Sequence, residues 1–447
     1  MVLDAIQCTP RAAFYLAPGL IAVMLAVNAP AANAAEGYMQ NAVGAREKAL
    51  AGAGVANSTD ATAAALNPAG LTNVGNQVAT SVSFFNLRGG FSSVGAGGFT
   101  ADGAHTSDRD WLTIPNIAAN WRVNWGLADA VALTVYGNGG VMSHYGDMAS
   151  PTCAALGGSG AFCRGPMGVS MNQTFFSLAF AKQVAPGLSV GVAPILARQT
   201  MKVDGLTIFT AASSDPVNFT NRGTDDAWGG GARMGVEWKL APGVKFGLAG
   251  NTRVYMQPFE QYRGLFAEQG RIDAPATVQA GLAVDVRPNL TMMVDYKHIW
   301  YSSIAALGNT STTTGVVLFG ADNGPGFGLR DLDIYKIAME WRANQLLTLR
   351  AGYSYNTAPF KSTDADLTVM HLGLVQHHIT GGAKLAVSDK LDLELSAMYA
   401  PKASLSGPEL MNPVPGRTMT TDASQFEVTV GAVYRFGDAP RSNVPLK

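Results

Sequence analysis

Residues 35–74 read AEGYMQNAVGAREKALAGAGVANSTDATAAALNPAGLTNV, and the fold turns on what this stretch cannot be. Small residues dominate it, Tyr38 is its single aromatic, and it ends in Asn67-Pro68-Ala69-Gly70. No two-residue alternation of apolar and polar side chains runs through it, so it does not read as a strand. The chain downstream does alternate. A segment with no apolar face of its own, followed by a long run of strands, is expected to plug a wall that those strands close around it.

The wall can be counted from its turns. Asn124-Trp125-Gly126, Ala185-Pro186-Gly187, Ala241-Pro242-Gly243, Arg287-Pro288-Asn289, Ala343-Asn344-Gln345 and Ser388-Asp389-Lys390 each separate two alternating segments. Between these hairpins lie longer polar or Gly-rich connections, near 92–113, 139–172, 204–224, 258–273, 305–330, 359–370 and 403–422. Six tight turns and seven long loops imply about fourteen antiparallel strands. Short turns at one end and long loops at the other are the asymmetry of an outer-membrane barrel. A water-soluble sandwich has no reason to sort its turns this way.

Alternation sets the facing. Leu290, Met292, Val294 and Tyr296 oppose Thr291, Asp295 and Lys297; Leu347, Leu349, Ala351 and Tyr353 oppose Thr348, Arg350, Gly352 and Ser354. Met234, Val236 and Trp238 oppose Arg233, Glu237 and Lys239, and Phe246 and Leu248 oppose Lys245, Asn251 and Arg253. In a wide barrel the apolar set faces lipid and the polar set faces the lumen. The last strand, Gln425 to Phe436, ends on an aromatic and is followed by Gly437 to Lys447.

Composition agrees. The 447 residues exceed one ordinary soluble core, which stops growing near ~250–300 residues. Charged residues are 14%, against roughly 25% in soluble domains. Beyond the N-terminus no apolar run reaches the about 20 residues of a spanning helix. A net charge of −1 gives no electrostatic case for nucleic acid. Arg11, the apolar stretch Ala12 to Val27 and the small residues Ala32-Asn33-Ala34 read as a signal peptide cut after Ala34, with a single membrane anchor as the other reading. Cutting there removes Cys8 and leaves Cys153 and Cys163, in PTCAALGGSGAFCRGP. In an exported chain that pair suggests a disulfide; two free thiols or a metal site remain as alternatives.

Gly44, Ala45, Arg46, Gly52, Ala53, Asp60, Ala61, Asn67, Pro68, Ala69, Gly70 and Leu71 together match the "G-A-R-…-G-x-A-…-D-A-…-N-P-A-G-L" hatch of the FadL/TodX family of outer-membrane channels for hydrophobic compounds. Pro275 to Ala283 with Leu290 to Ile299 resembles that family's "P-A-T-V-x-x-G-L-A-…-D-Y" hairpin, and Leu347 to Tyr355 resembles its "L-T-L-R-x-G-Y-x-Y" strand. The resemblance implies an all-β, 14-stranded antiparallel transmembrane β-barrel with an N-terminal hatch in its lumen. It divides the chain into a signal peptide (1–34), hatch (35–77), barrel (78–436) and C-terminal tail (437–447). It also implies ligand capture at extracellular loops, an apolar site in the lumen, and lateral release to the membrane by hatch rearrangement or a kinked third strand.

By count the third strand is Val131 to Gly140, whose alternation breaks at Gly137-Asn138-Gly139-Gly140. Those residues are the candidate lateral opening, against the following strand near Phe176 and Leu178; otherwise they merely begin the loop that carries the cysteines. A fatty-acid carboxylate would seek a cation, and Arg233, Arg253, Lys297, Lys336 and Arg350 are the lumen candidates. Their other reading is pairing with Glu237, Asp295, Glu340 and hatch groups. A neutral aromatic would need none of them. The expected partners are hydrophobic small molecules and outer-membrane lipid, with the chain a monomer.

No enzyme signature stands out. Gly352-Tyr-Ser-Tyr-Asn356 lacks the second glycine of a nucleophile elbow. Gly52-Ala-Gly54 and Gly229-Gly-Gly231 lack the strand–loop–helix context of a phosphate loop. His377 and His378 are adjacent and, in a strand, point to opposite faces. No metal or cofactor is expected. The alternative function is a general porin or a structural barrel, which would carry an inward loop and no plug.

Overall fold

Alternation closes the barrel as counted. The computed structural model describes residues 35–95, 97–310, 316–409 and 416–437; the signal peptide and nearly all of the tail lie outside them. Fourteen long strands follow one another: β1 (Gln77–Val94), β2 (Trp111–Arg122), β3 (Ala130–Tyr145), β4 (Met167–Ala185), β5 (Leu188–Asp204), β6 (Asp225–Ala241) and β7 (Val244–Asn251). Then come β8 (Thr277–Arg287), β9 (Leu290–Ile299), β10 (Leu332–Arg342), β11 (Leu347–Asn356), β12 (His377–Ala386), β13 (Leu391–Pro408) and β14 (Thr418–Arg435). Each pairs antiparallel with its sequence neighbour, and β14 closes on β1 from Gln77↔Arg435 to Val94↔Thr418. Two short strands join the sheet: Gly103–Thr106 beside β1, and Tyr255–Met256 beside β6.

The tight turns lie where their residues require them. Pro186-Gly187 and Pro242-Gly243 each link two strands, with φ of 76° and 75° at the glycines. Proline presets the first turn position, and glycine alone takes the left-handed φ freely at the second. Met234, Val294 and Tyr399 face outward, while Arg233, Asp295 and Met398 are buried. A water-soluble barrel would not leave such an apolar exterior.

The hatch fills the lumen. It forms a short helix, Ala45–Ala49, and two 3-10 turns, Ala61–Ala65 and Pro68–Asn73. Its small residues meet small residues of the wall. Ala64 and Leu71 pack against Ala130, Ala132, Ala179, Ala181 and Ala193; Leu50, Ala53 and Ala56 pack against Ala283, Met293 and Ala338. Alanine facing alanine lets backbone approach backbone without a void.

The extracellular connections pack into an apolar cap of their own. Phe209 contacts Phe99, Phe162 and Phe319, and Phe319 contacts Phe219, so four different loops share one aromatic cluster. Cys153 and Cys163 are bonded next to it. Arg417, fully buried, pairs with Glu409 at 2.5 Å and Asp102 at 2.9 Å, tying the last loop to the first.

Candidate functional site

Asn67-Pro68-Ala69-Gly70 fixes the hatch to the wall. The Asn67 side chain accepts from the Ala69 N–H at 3.1 Å, capping the 3-10 turn that Pro68 opens. Its amide donates to the Val55 carbonyl at 2.7 Å and the Val236 carbonyl of β6 at 2.9 Å. Proline suits the first helical position because its missing N–H is not needed there. Gly70 has no room for a side chain: a Cβ would fall 1.8 Å from Ser58 Oγ. Opposite it, a Cβ on Gly235 would fall 2.0 Å from Asn67 Oδ1.

The five candidate cations have different environments. Lys297 and Lys336 grip the two carboxylate oxygens of Glu36 at 2.5 and 2.6 Å, and Glu36 is wholly buried. Lys336 also donates to the Asn41 carbonyl. Arg350 pairs with Glu340 at 2.7 Å and Glu394 at 2.9 Å, and hatch residue Arg46 reaches the same Glu340 at 3.1 Å. Arg253 is not a lumen residue. β7 ends at Asn251, and Arg253 lies in the extracellular connection, paired with Asp273 and Glu268 and donating to the Ser303 carbonyl. The pattern Lys245, Asn251, Arg253 carried the strand's alternation two residues beyond its end.

Arg233 stands apart. Its Nη1 donates to the Tyr136 hydroxyl at 2.8 Å and its guanidinium lies 5.9 Å from that ring's centre. Among the described residues no carboxylate comes within ion-pair distance of it. Arg233, Tyr136, Asn138, Lys297 and the hatch residues Met39 and Gln40 line a cavity of about 60 Å³. A cavity that takes a benzene ring is about 150 Å³, so this one is too small for a ring as it stands.

Gly137 to Gly140 do not begin a loop. β3 runs through them to Tyr145, with a register shift at which Gly137 faces Thr174 and Gly139 faces Gln173 on β4, leaving Asn138 as the extra residue of a bulge. The β4 flank is therefore paired on both sides of the bulge. The β2 flank is not. The β2–β3 ladder ends at Asn116↔Tyr136, just below Pro115, which has no N–H to continue it. Contact resumes at His144, whose carbonyl accepts from the Asp108 N–H. Phe176 and Leu178 pair with Val135 and Leu133 below the bulge, so the seam lies on the other edge of β3 from the one expected.

Hatch backbone occupies that seam. Gly140 N–H donates to the Tyr38 carbonyl at 2.9 Å, Gln40 N–H to the Asn138 carbonyl at 3.0 Å, and the Gln40 amide to the Gly137 carbonyl at 2.6 Å. The Tyr301 hydroxyl donates to the Glu36 carbonyl. The segment lying on the bulge is thus the segment the two lysines hold.

Sequence reasoning did not find Glu36, whose partners are more than two hundred residues away, nor the role of Asp295. Asp295 is no lysine partner: it accepts the Gly54 and Val55 N–H groups at 3.0 Å each and the Gln279 amide at 2.7 Å. His377 faces outward and His378 is buried. Among the described residues no group of three or more His, Cys, Asp or Glu could hold a metal.

A sequence model described as outer membrane protein transport protein (OMPP1/FadL/TodX) matches residues 23–372. Among solved structures, the P. putida toluene transporter TodX superposes with TM-score 0.66 at 16% identity, over 89% of this chain and 100% of its own. A Pseudomonas aeruginosa FadL homologue gives 0.64 at 15% identity, over 90% and 100%. The Ralstonia pickettii toluene transporter TbuX gives 0.60 at 16%, over 89% and 99%. At these identities the likeness is one of fold. No curated protein matches the sequence.

Proposed function

Because the chain belongs to the OMPP1/FadL/TodX family of outer-membrane transport proteins, we propose that it takes hydrophobic compounds inward passively and releases them sideways between β2 and β3. The observation that carries this reading is the seam above Asn116↔Tyr136, filled by hatch residues Tyr38 to Gln40. A ligand reaching the cavity beside Arg233 needs more room than it offers, and moving the hatch segment both enlarges the cavity and uncovers the seam. Nothing in this sequence of events requires catalysis or an energy source. An apolar molecule crosses the polar outer surface of the membrane poorly, and a dry path lowers that barrier.

Arg233 supports a substrate with a single acidic head, such as a long-chain fatty acid. Lys297, Lys336 and Arg350 are already engaged by acids of the protein, and Arg253 lies outside the lumen. The toluene transporters among the structural neighbours make a neutral aromatic the competing substrate. Uptake of oleate and of toluene by a deletion strain, with and without the gene restored, tests both. Restoration of oleate uptake alone, lost again in Arg233→Leu, is the expected result. Free passage of ions and small polar solutes through single channels would instead make the protein a porin.

A further inference from the structure

We propose that Gln173 and Gln199 form a hydrogen-bonding station in the lumen for a hydroxyl group on an otherwise apolar substrate. The proposal rests on the transport reading above and adds a substrate class to it. Gly139 at the bulge faces Gln173 of β4, and Gln173 faces Gln199 of β5, so the two amides continue inward-facing around the barrel from the seam. Their neighbours along each strand are apolar and buried: Met171 and Phe175 on β4, Ala197 and Met201 on β5.

Both glutamines are almost completely buried. Gln173 Oε1 accepts from the Asn138 amide, which itself lines the cavity beside Arg233. Gln173 Nε2 lies beside the Tyr38 hydroxyl, and among the described residues neither makes a hydrogen bond of good geometry. Among the described residues Gln199 finds no hydrogen-bond partner at Oε1 or Nε2. A buried amide left unmade on both sides is costly, and structures rarely keep one without a reason. An amide offers a donor and an acceptor together. A hydroxyl, which also donates and accepts, answers both; an ionised carboxylate has no proton to offer Oε1, and a hydrocarbon would answer neither.

The test is protein-dependent uptake of radiolabelled 1-decanol and n-undecane, equal in non-hydrogen atoms, by a deletion strain expressing the full chain. Wild type is expected to favour 1-decanol by about tenfold, the worth of roughly one well-made hydrogen bond. In Gln199→Leu the ratio should fall toward one. Gln173→Leu serves as the second variant should the first fail to reach the membrane, folding being checked by heat-modifiable gel mobility. A wild-type ratio near one, as when water alone solvates the amides, overturns the proposal and leaves transport standing. So does a ratio unchanged in either folded variant. If neither probe shows protein-dependent uptake while oleate does, this proposal falls and transport of acid-headed substrates stands; if oleate fails as well, the transport reading itself fails.

Discussion

Tyr38 of the hatch accepts the Gly140 N–H of β3 at 2.9 Å, a backbone bond of the kind β2 supplies to β3 lower in the wall. Above Tyr136 the edge of β3 is deserted by its strand partner, and an unpaired strand edge facing a membrane is costly because lipid offers no hydrogen bonds. The hatch meets that need only while it stays in place. Hatch and wall are therefore linked through shared backbone bonds.

Glu36→Gln should release this segment. The substitution leaves Lys297 and Lys336 buried without their common carboxylate. Removing one partner of a buried ion pair costs about 3–5 kcal/mol. The loss falls on residues 36–40, since Asn67 and Asp295 anchor the rest of the hatch independently. Hydrogen exchange at the Gly140 amide should speed up while heat-modifiable mobility stays native. Unchanged protection at Gly140 would mean the lysines do not hold the segment.

If release runs between β2 and β3 as proposed, it can be blocked from one side only. Cysteines at Leu112 and Val141, joined by a short thiol-cleavable linker, would tie β2 to β3 across the seam. Uptake should stop and return on cleavage, with ligand binding retained. The same linker between Val135 and Phe176, already ladder partners, should do nothing. Equal effects of the two links would place the exit elsewhere.

Val294 and Val217 separate membrane from water as the surroundings of the barrel. Both are exposed, at 55% and 68%, one mid-strand on β9 and one in the 205–224 loop. Arginine at 294 should cost about 2–4 kcal/mol in lipid, and arginine at 217 almost nothing. Assembly yield on semi-native gels reads the difference. Equal tolerance would say that β9 does not face lipid.

Much of this was legible locally. Turn prolines and glycines mark the hairpins within a few residues, and the period-two pattern assigns Val294 and Asp295 to opposite faces without any tertiary knowledge. Asn67-Pro68 likewise carries its own capping chemistry. What escaped the sequence is long-range. Glu36 looks like any acid until β9 and β10 bring two lysines to it. Arg253 extends the β7 pattern because Asn251-Thr252 contains no strand-breaking residue. The run Gly137 to Gly140 looks like a loop because its alternation fails, yet a bulge restores register two residues later. Which edge of β3 loses its ladder partner depends on Pro115, on another strand.

The disulfide should be local in effect. Cys153 and Cys163 close a short loop on Phe162 and the aromatic cap. Cross-linking a loop of this length contributes on the order of 2–3 kcal/mol, none of it through the barrel ladder. Cys153→Ser should leave barrel assembly intact while making the 146–166 loop easier to nick with protease. Thiols alkylated without reductant in the native wild type would contradict the bond itself.

The extracellular cap should loosen in acid, and His371 should set the first part of the range. It is buried against Phe327 and Phe360, with the Gly373 N–H donating to its Nδ1. Burial pushes it down to about 3, whereas an exposed imidazole titrates near about 6.5. Between those values the opened loop binds a proton that the closed loop refuses, so closure weakens steadily as pH falls from about 6.5 toward 3. Asp102 adds a second, lower range. Burial raises it, but the Thr152 N–H and hydroxyl and the Arg417 guanidinium outweigh burial and hold it below the usual carboxylate value. Its contribution is present above about pH 4 and is lost only as pH drops through the depressed value. Protease nicking of the 357–376 loop should therefore rise between pH 7 and pH 5 in the wild type. In His371→Phe that rise should disappear, because a phenyl ring fits the aromatic surroundings and takes up no proton. A pH profile identical in the two proteins would remove His371 as its cause.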